Sequence, residues 1–251
     1  MTGTLYLVPA PLDFGCSEQT ALAQSMPDAT LEQAAKLQFW VCENAKSTRA
    51  YLKRIAEIYP LVVPIQSMQL TELPREVHKK GDHQGQFDAR HLLQAAVDGN
   101  DMGLISEAGM PAVADPGSSV VRAAHELGIT VVPMVGPVSL LLALAASGLN
   151  GQQFAFVGYV PADPAQRAQR IRELEALALK TGQTQLFIET PYRNGALLQT
   201  LLTTLQPRTQ LAAASGLTLS TSRCLSSAVS GWKQKAWSLD NSTPTVFAIG
   251  K

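Results

Sequence analysis

Short apolar runs alternate along this chain with longer stretches in which apolar residues recur about every 3.6 positions. Thr4-Leu5-Tyr6-Leu7-Val8 is apolar and breaks at Pro9-Ala10-Pro11, which predicts a strand running into a loop. Phe39-Trp40-Val41-Cys42 predicts a second buried strand, and Ser47 to Ile58 a helix striped by Tyr51, Leu52, Ile55 and Ile58. Leu61-Val62-Val63-Pro64-Ile65 is expected to form a third strand. The polar segment Gly81 to Gly85, containing Asp82, His83 and Gln84, predicts a loop before a helix from about Phe87 to Val97. Met102 to Ser106 is continuously apolar, as in a strand covered on both faces. Asp115-Pro116-Gly117 is expected to open the next helix, with Asp115 capping its free amides and Pro116 at its first position. Val120, Val121, Ala124 and Leu127 face that helix inward, Gly128 stops it, and Ile129 to Met134 predicts a further strand.

Gly136-Pro137 interrupts the pattern and a second series follows. Helices are predicted over Ser139 to Ser147, Pro164 to Lys180 and Asn194 to Leu205. Strands are predicted at Phe154 to Val157, Gln185 to Glu189, Leu211 to Ala214 and Thr245 to Ile249. This alternation is the signature of βαβ units. An α/β chain is expected, with an N-terminal lobe over 1–135 built on a parallel sheet and a C-terminal α/β lobe over 136–251.

Composition changes the picture only by exclusion. An apolar share of 46% with 16% charged residues suits a packed chain and not a disordered one. Lys plus Arg and Asp plus Glu balance at 20 each, so net charge offers no argument for nucleic acid, though a local basic face can hide in a neutral total. Lys46, Arg49 and Lys53 recur three and four apart and share one helix face, to be read as a phosphate-tracking stripe or a solvated surface. Cys16, Cys42 and Cys224 form no C-x-x-C pair. Met1 to Pro9 shows no basic leader, and the longest apolar stretch, Val138 to Ala146, is too short to span a bilayer. A cytoplasmic protein with no metal and no membrane partner is expected.

No phosphate-binding G-x-x-x-x-G-K-S/T loop, G-x-S-x-G elbow or G-x-G-x-x-G turn is present. His78, His83, His91 and His125 form no H-E-x-x-H pair. Three loops stand out instead, each after a predicted strand, where open α/β sheets place their ligands. They are Pro9-Ala10-Pro11, the small-residue run Ser106 to Gly117, and Val135-Gly136-Pro137-Val138-Ser139.

Together these stretches resemble the tetrapyrrole methylase superfamily, the class III S-adenosylmethionine-dependent methyltransferases, and within it the branch of ribosomal RNA small subunit methyltransferase I. The resemblance is carried by LYLVPAPLDFG (Leu5 to Gly15), ENAKSTRAYLKR (Glu43 to Arg54) and the long block from Ser106 to Ser139. ASGL from Ala146, FAFVGYVP from Phe154 and FIETPYR from Phe187 continue it. It implies two α/β lobes with the cofactor cleft between them, a homodimer, and S-adenosylmethionine as cofactor. By position the cofactor would touch Pro9, Glu107, Gly109, Met110, Ser139, Leu140, Glu189 and Leu217, with Pro244 and Thr245 near the adenine. The resembling enzymes usually carry aspartate at Glu107 and a second acid at Asn44, and their R-E-L-T-K stretch is here Ser215-Gly216-Leu217-Thr218-Leu219. Transfer from a sulfonium needs alignment and dryness more than acid–base groups, because the leaving group departs neutral. Were a sugar hydroxyl the acceptor, Glu43 or Glu189 would be placed as base, and Arg193 could hold a phosphate or carboxylate. Three functions stay open: 2′-O-methylation of a ribose in small-subunit ribosomal RNA, methylation of a tetrapyrrole-like small molecule, and cofactor binding without turnover.

Overall fold

A computed structural model describes residues 1–80, 87–232, 234–235 and 237–251. They form two compact units, Met1–Phe14 with Thr20–Pro137 and Gly15–Gln19 with Val138–Lys251. The loop predicted at Gly81 to Gly85, with Asp82, His83 and Gln84, lies outside the described residues, as does the His78 side chain. Among the described residues no helix is long and apolar enough to cross a membrane.

The first unit runs β1 (Thr4–Leu7), α1 (Asp28–Ala35), β2 (Phe39–Cys42), α2 (Ala45–Ala56), β3 (Gln69–Glu72), α3 (Arg75–Lys80), α4 (Gln94–Val97), β4 (Met102–Ile105), α5 (Ser118–Glu126) and β5 (Thr130–Pro133). Its sheet has the order β3-β2-β4-β1-β5, and every pairing is parallel. Side chains alternate across it with the period of two that strands impose. Trp40 and Cys42 face α1 and α2, where Leu31, Ala34, Leu52 and Ile55 complete one core. Leu5, Val41 and Leu104 face the other way, onto α4 and α5. Asn44 starts α2 by accepting the amides of Lys46 and Ser47 at 2.9 and 3.3 Å. Asparagine caps as well as aspartate, so its replacement of the second acid leaves this turn intact.

Three expectations fail here. Leu61 to Ile65 is not a strand: Pro64 lacks a ladder donor, and a single 3₁₀ turn, Ile65–Ser67, follows it. The strand is β3, a mostly exposed edge strand without an apolar run to mark it. Asp115 does not cap the following helix either. Helix α5 begins at Ser118 with Gly117 as its N-cap (φ 134°). The helix expected from Phe87 to Val97 divides into a 3₁₀ turn, Arg90–Leu93, and α4.

Gly103 of β4 lies against the Trp40 ring so tightly that a Cβ there would sit 2.4 Å from two ring carbons. Trp40 cannot swing aside, since it is buried and its Nε1–H donates to the Leu37 carbonyl at 3.1 Å. Gly103→Ala is therefore expected to cost about 1–3 kcal/mol of stability, the range for core overpacking. A urea unfolding midpoint equal to the parent's would refute this.

The second unit runs α6 (Ser139–Ser147), β6 (Phe154–Tyr159), α7 (Pro164–Thr181), β7 (Thr184–Ile188), α8 (Asn194–Thr204), β8 (Gln210–Ser215), β9 (Arg223–Ala228), α9 (Val229–Trp232) and β10 (Thr245–Gly250). The sheet order is β6-β7-β10-β8-β9. Only β6 and β7 pair in parallel; the pairings of β10 with β7, β10 with β8 and β8 with β9 are antiparallel. This lobe is thus α/β with a mixed sheet, not a run of βαβ units. Phe187, Leu211, Phe247 and Ile249 pack on α7 and α8, while Leu186, Ala212, Ala214, Val246 and Ala248 pack on α6.

Candidate functional site

In the first unit all strands point the same way, so the loops after β1, β2, β4 and β5 leave from one edge of the sheet. The chain leaves β1 for the core of α1 and α2, and leaves β4 for the core of α5 on the opposite face. β1 and β4 are neighbours. The change of side between adjacent strands is the switch point at which open α/β sheets take ligands.

The three loops singled out by the sequence meet at that point. Ala10 and Gly109 exchange both backbone hydrogen bonds at 2.9 Å, which ties the loop after β1 to the loop after β4. A Cβ on Gly136 would lie 2.4 Å from Pro9 Cβ, so the third loop reaches Pro9 only because glycine stands there. Thr30 Oγ1 donates to the Val135 carbonyl at 2.7 Å and holds that loop down. Within Ser106 to Gly117 the backbone is left-handed at Gly109 (φ 69°), Ala112 (φ 64°) and Ala114 (φ 65°). For alanine such angles cost about 1–2 kcal/mol each and persist only where the surroundings impose them.

Acidic groups crowd the same edge. Glu43, directly after β2, accepts the Glu107 amide on Oε2 at 3.1 Å. Burial, and then the Glu43 and Glu107 carboxylates, push the Asp115 carboxyl up to about 7. Ser106 Oγ is buried without a hydrogen-bond partner among the described residues. Pro9 and Gly109 are buried, while Glu107 and Met110 are half-buried. Among the described residues no group of three or more His, Cys, Asp or Glu is placed to hold a metal.

In the second unit the remaining candidates gather at one edge of the mixed sheet. Glu189 follows β7, Leu217 follows β8, and Pro244 and Thr245 open β10, which runs between those strands. Thr245 is paired in register with Ser215, and its hydroxyl donates to Ser215 Oγ at 3.0 Å. The Gly216 amide donates to the Pro244 carbonyl at 3.1 Å. Leu140, on the first turn of α6 beside Ser139, shares a core with Leu217.

Glu189 is buried, and its Oε1 accepts Arg193 Nη2 at 2.6 Å and the Thr190 amide at 2.8 Å. That carboxylate holds the Arg193 guanidinium above its ordinary pKa. Glu189 Oε2 has no hydrogen-bond partner among the described residues. The structure therefore joins Glu189 and Arg193 as an ion pair and sets Glu43 in the other unit with Glu107 and Asp115. Sequence reasoning missed Asp115, whose Asp-Pro-Gly setting reads as a helix start, and Ser106, which reads only as the end of a strand. Lys46, Arg49 and Lys53 are exposed along α2, whereas Arg54 turns inward to a two-point contact with Asp13 at 3.0 Å.

Two sheet-based α/β units, the first with a small-residue, strained loop cluster at its switch point, define the class of protein. The sequence profile of the Tetrapyrrole (Corrin/Porphyrin) Methylases matches residues 29–230, and the chain belongs to that family. It is similar to the ribosomal RNA small subunit methyltransferase I of Vibrio cholerae, 34% identical over 137 residues, which is 55% of this chain and 46% of that protein. The protein of the same name from Micromonospora olivasterospora is 32% identical over 207 residues, 82% of this chain and 57% of the relative. The chain thus spans about half the length of the curated relatives it matches. Among solved structures, the uroporphyrin-III-C-methyltransferase of Thermus thermophilus aligns over 99% of this chain and 94% of its own, with a TM-score of 0.53 and 19% identity. The methyltransferase CobJ aligns over 100% of this chain and 95% of its own, with a TM-score of 0.57 and 17% identity. At such identities these two show the fold alone.

Proposed function

We propose that this protein is an S-adenosylmethionine-dependent methyltransferase that 2′-O-methylates a ribose of small-subunit ribosomal RNA. The observation that carries the reading is the Ala10–Gly109 bridge, which sets small-residue, strained loops at the switch point beside three carboxylates. The curated relatives of that name support the choice of acceptor. The family resemblance assigns residues of each unit to such a cofactor. Pro9, Glu107, Gly109 and Met110 would hold it in the first, and Ser139, Leu140, Glu189, Leu217, Pro244 and Thr245 in the second. Buried Ser106 Oγ and Glu189 Oε2 have polar capacity left over for a ligand.

When bound, the cofactor supplies a methyl group on a positively charged sulfur that leaves as a neutral thioether. The Glu43 and Glu107 carboxylates, joined by Asp115 as it ionises above about pH 7, favour a cationic ligand by simple Coulomb attraction. The Glu107 amide holds the Glu43 carboxylate in place, and Glu43 Oε1 is then the group offered as proton acceptor for a ribose hydroxyl. Glu189 is committed to Arg193 through Oε1, so its part is to position that guanidinium for an acceptor phosphate. A homodimer and a cytoplasmic location belong to the same proposal and rest on the family resemblance. Lys46, Arg49 and Lys53 are proposed to track RNA phosphates.

Calorimetry of the purified protein with S-adenosylmethionine is expected to show binding that excess chelator leaves unchanged. Incubation with 30S subunits should then add a methyl group to a ribose, located by mass spectrometry of the digested RNA. Absence of binding, or binding lost with chelator, would sink the proposal; binding with transfer only to a small acceptor would replace the RNA substrate.

A further inference from the structure

We infer that the outer strand of the second unit carries a subsite for single-stranded RNA, built from Arg223, Lys235 and Trp237. The inference rests on RNA as the substrate and adds a contact that no resemblance assigns. A surface cavity of about 210 Å³ opens beside β9, lined by Arg223, Cys224, Leu225, Lys235 and Trp237. Two of these five are cations and none is a carboxylate. Arg223 and Lys235 are both exposed, in a chain whose total charge is zero.

The aromatic part is held in place from below. Trp237 stacks on Trp232 with centroids 5.5 Å apart and planes 26° apart, and Trp232 is buried with Nε1–H donating to the Leu211 carbonyl at 2.7 Å. The Arg223 guanidinium lies over the Trp237 ring, 5.4 Å from its centroid. The Arg223 guanidinium, lying over an anchored indole with a lysine beside it, offers a planar face for a base and cationic donors for a phosphate. Unpaired nucleotides are recognised by that combination.

Position and size favour a strand over a free nucleotide. Arg223 is in register with Ser215 of β8, whose hydroxyl accepts from Thr245 of the candidate cofactor edge, so the subsite sits beside that edge on one sheet. The cavity is smaller than the roughly 300–1,000 Å³ of pockets that enclose a whole small ligand. It accommodates a phosphate and part of a base while the rest of the strand lies outside.

The test is fluorescence anisotropy of a labelled single-stranded oligoribonucleotide, titrated with the full chain at several salt concentrations. Arg223→Gln with Lys235→Gln should lower the log–log salt slope by about 1.4, two phosphate contacts at ~0.7 each on single strands. Trp237→Leu should weaken binding about tenfold, because the Arg223 guanidinium loses the ring that holds it in place, a loss within the range of a cation–π contact. The double variant changes exposed residues only, and circular dichroism checks the fold of both. S-adenosylmethionine affinity should be unchanged in each, and none of these readouts needs turnover. A double variant with the parent's slope overturns the subsite. Displacement of the RNA by adenosine monophosphate at a concentration near the protein's own overturns the strand assignment in favour of a mononucleotide. Failure of methyl transfer to 30S subunits with the slope change intact removes the proposed enzymatic function and leaves the subsite standing.

Discussion

Gly109→Val is expected to abolish measurable S-adenosylmethionine binding, with affinity falling at least ~100-fold, equivalent to about 2.7 kcal/mol. Gly109 has φ 69°, a conformation in which a β-branched residue is a steric outlier. Its amide and carbonyl both bond to Ala10, so rotating the backbone to relieve valine would break the bridge that joins the loops after β1 and β4. Strain of roughly 1–3 kcal/mol would also appear as lost stability. Gly109→Ala separates the two effects. Its Cβ would be 3.4 Å from Leu12 Cδ2, an ordinary contact, so only the left-handed backbone is penalised and binding should weaken modestly. A folded valine variant that binds like the parent would remove the cofactor from this loop.

Asp115→Asn should be more stable than the parent at pH 8 and nearly equal to it at pH 4. In the folded chain burial and two neighbouring carboxylates raise the Asp115 carboxyl to about 7, against an ordinary 3.8. Between those values the folded state keeps a proton that the unfolded state releases, so this residue's contribution to stability falls as pH rises. It is neutral below about pH 4 and fully unfavourable above about pH 7. Three pH units correspond to at most about 4 kcal/mol, and solvent at this half-buried site reduces the figure. Asparagine cannot ionise and escapes the penalty. A bound cation would offset the cost of ionising Asp115, so the variant should bind S-adenosylmethionine more weakly at pH 8 while being the more stable protein. Denaturant midpoints at both pH values, with calorimetry at pH 8, check the pair. A stability difference that does not change with pH would refute the argument.

Nothing in its sequence context shows that Asp115 joins the acidic group of Glu43 and Glu107. Asp-Pro-Gly before an apolar stripe fits a helix start, and only the left-handed turns from Ala112 to Gly117 move Asp115 off the helix and toward Glu43 and Glu107. β3 was equally illegible. A parallel edge strand that is mostly exposed needs only ladder bonds from its neighbour, so Gln69-Leu70-Thr71-Glu72 carries no apolar run, while the greasier Leu61 to Ile65 is broken by Pro64.

The sequence by itself determined the buried strands, most helices and the three loops, because burial on both faces demands continuous apolar runs and close approach demands Gly, Pro and Ala. It also carried the family resemblance, since those loop residues are tied to backbone contacts that few other residues permit. Only the tertiary structure decided which residues share a site. Glu43 and Glu107 lie 64 positions apart and meet because β2 pairs with β4, and the antiparallel pairings of β10 bring Thr245 to Ser215. Strand order and direction arise from long-range pairing, which short-range periodicity does not encode, and the crowding that shifts Asp115 exists only once the sheet has assembled.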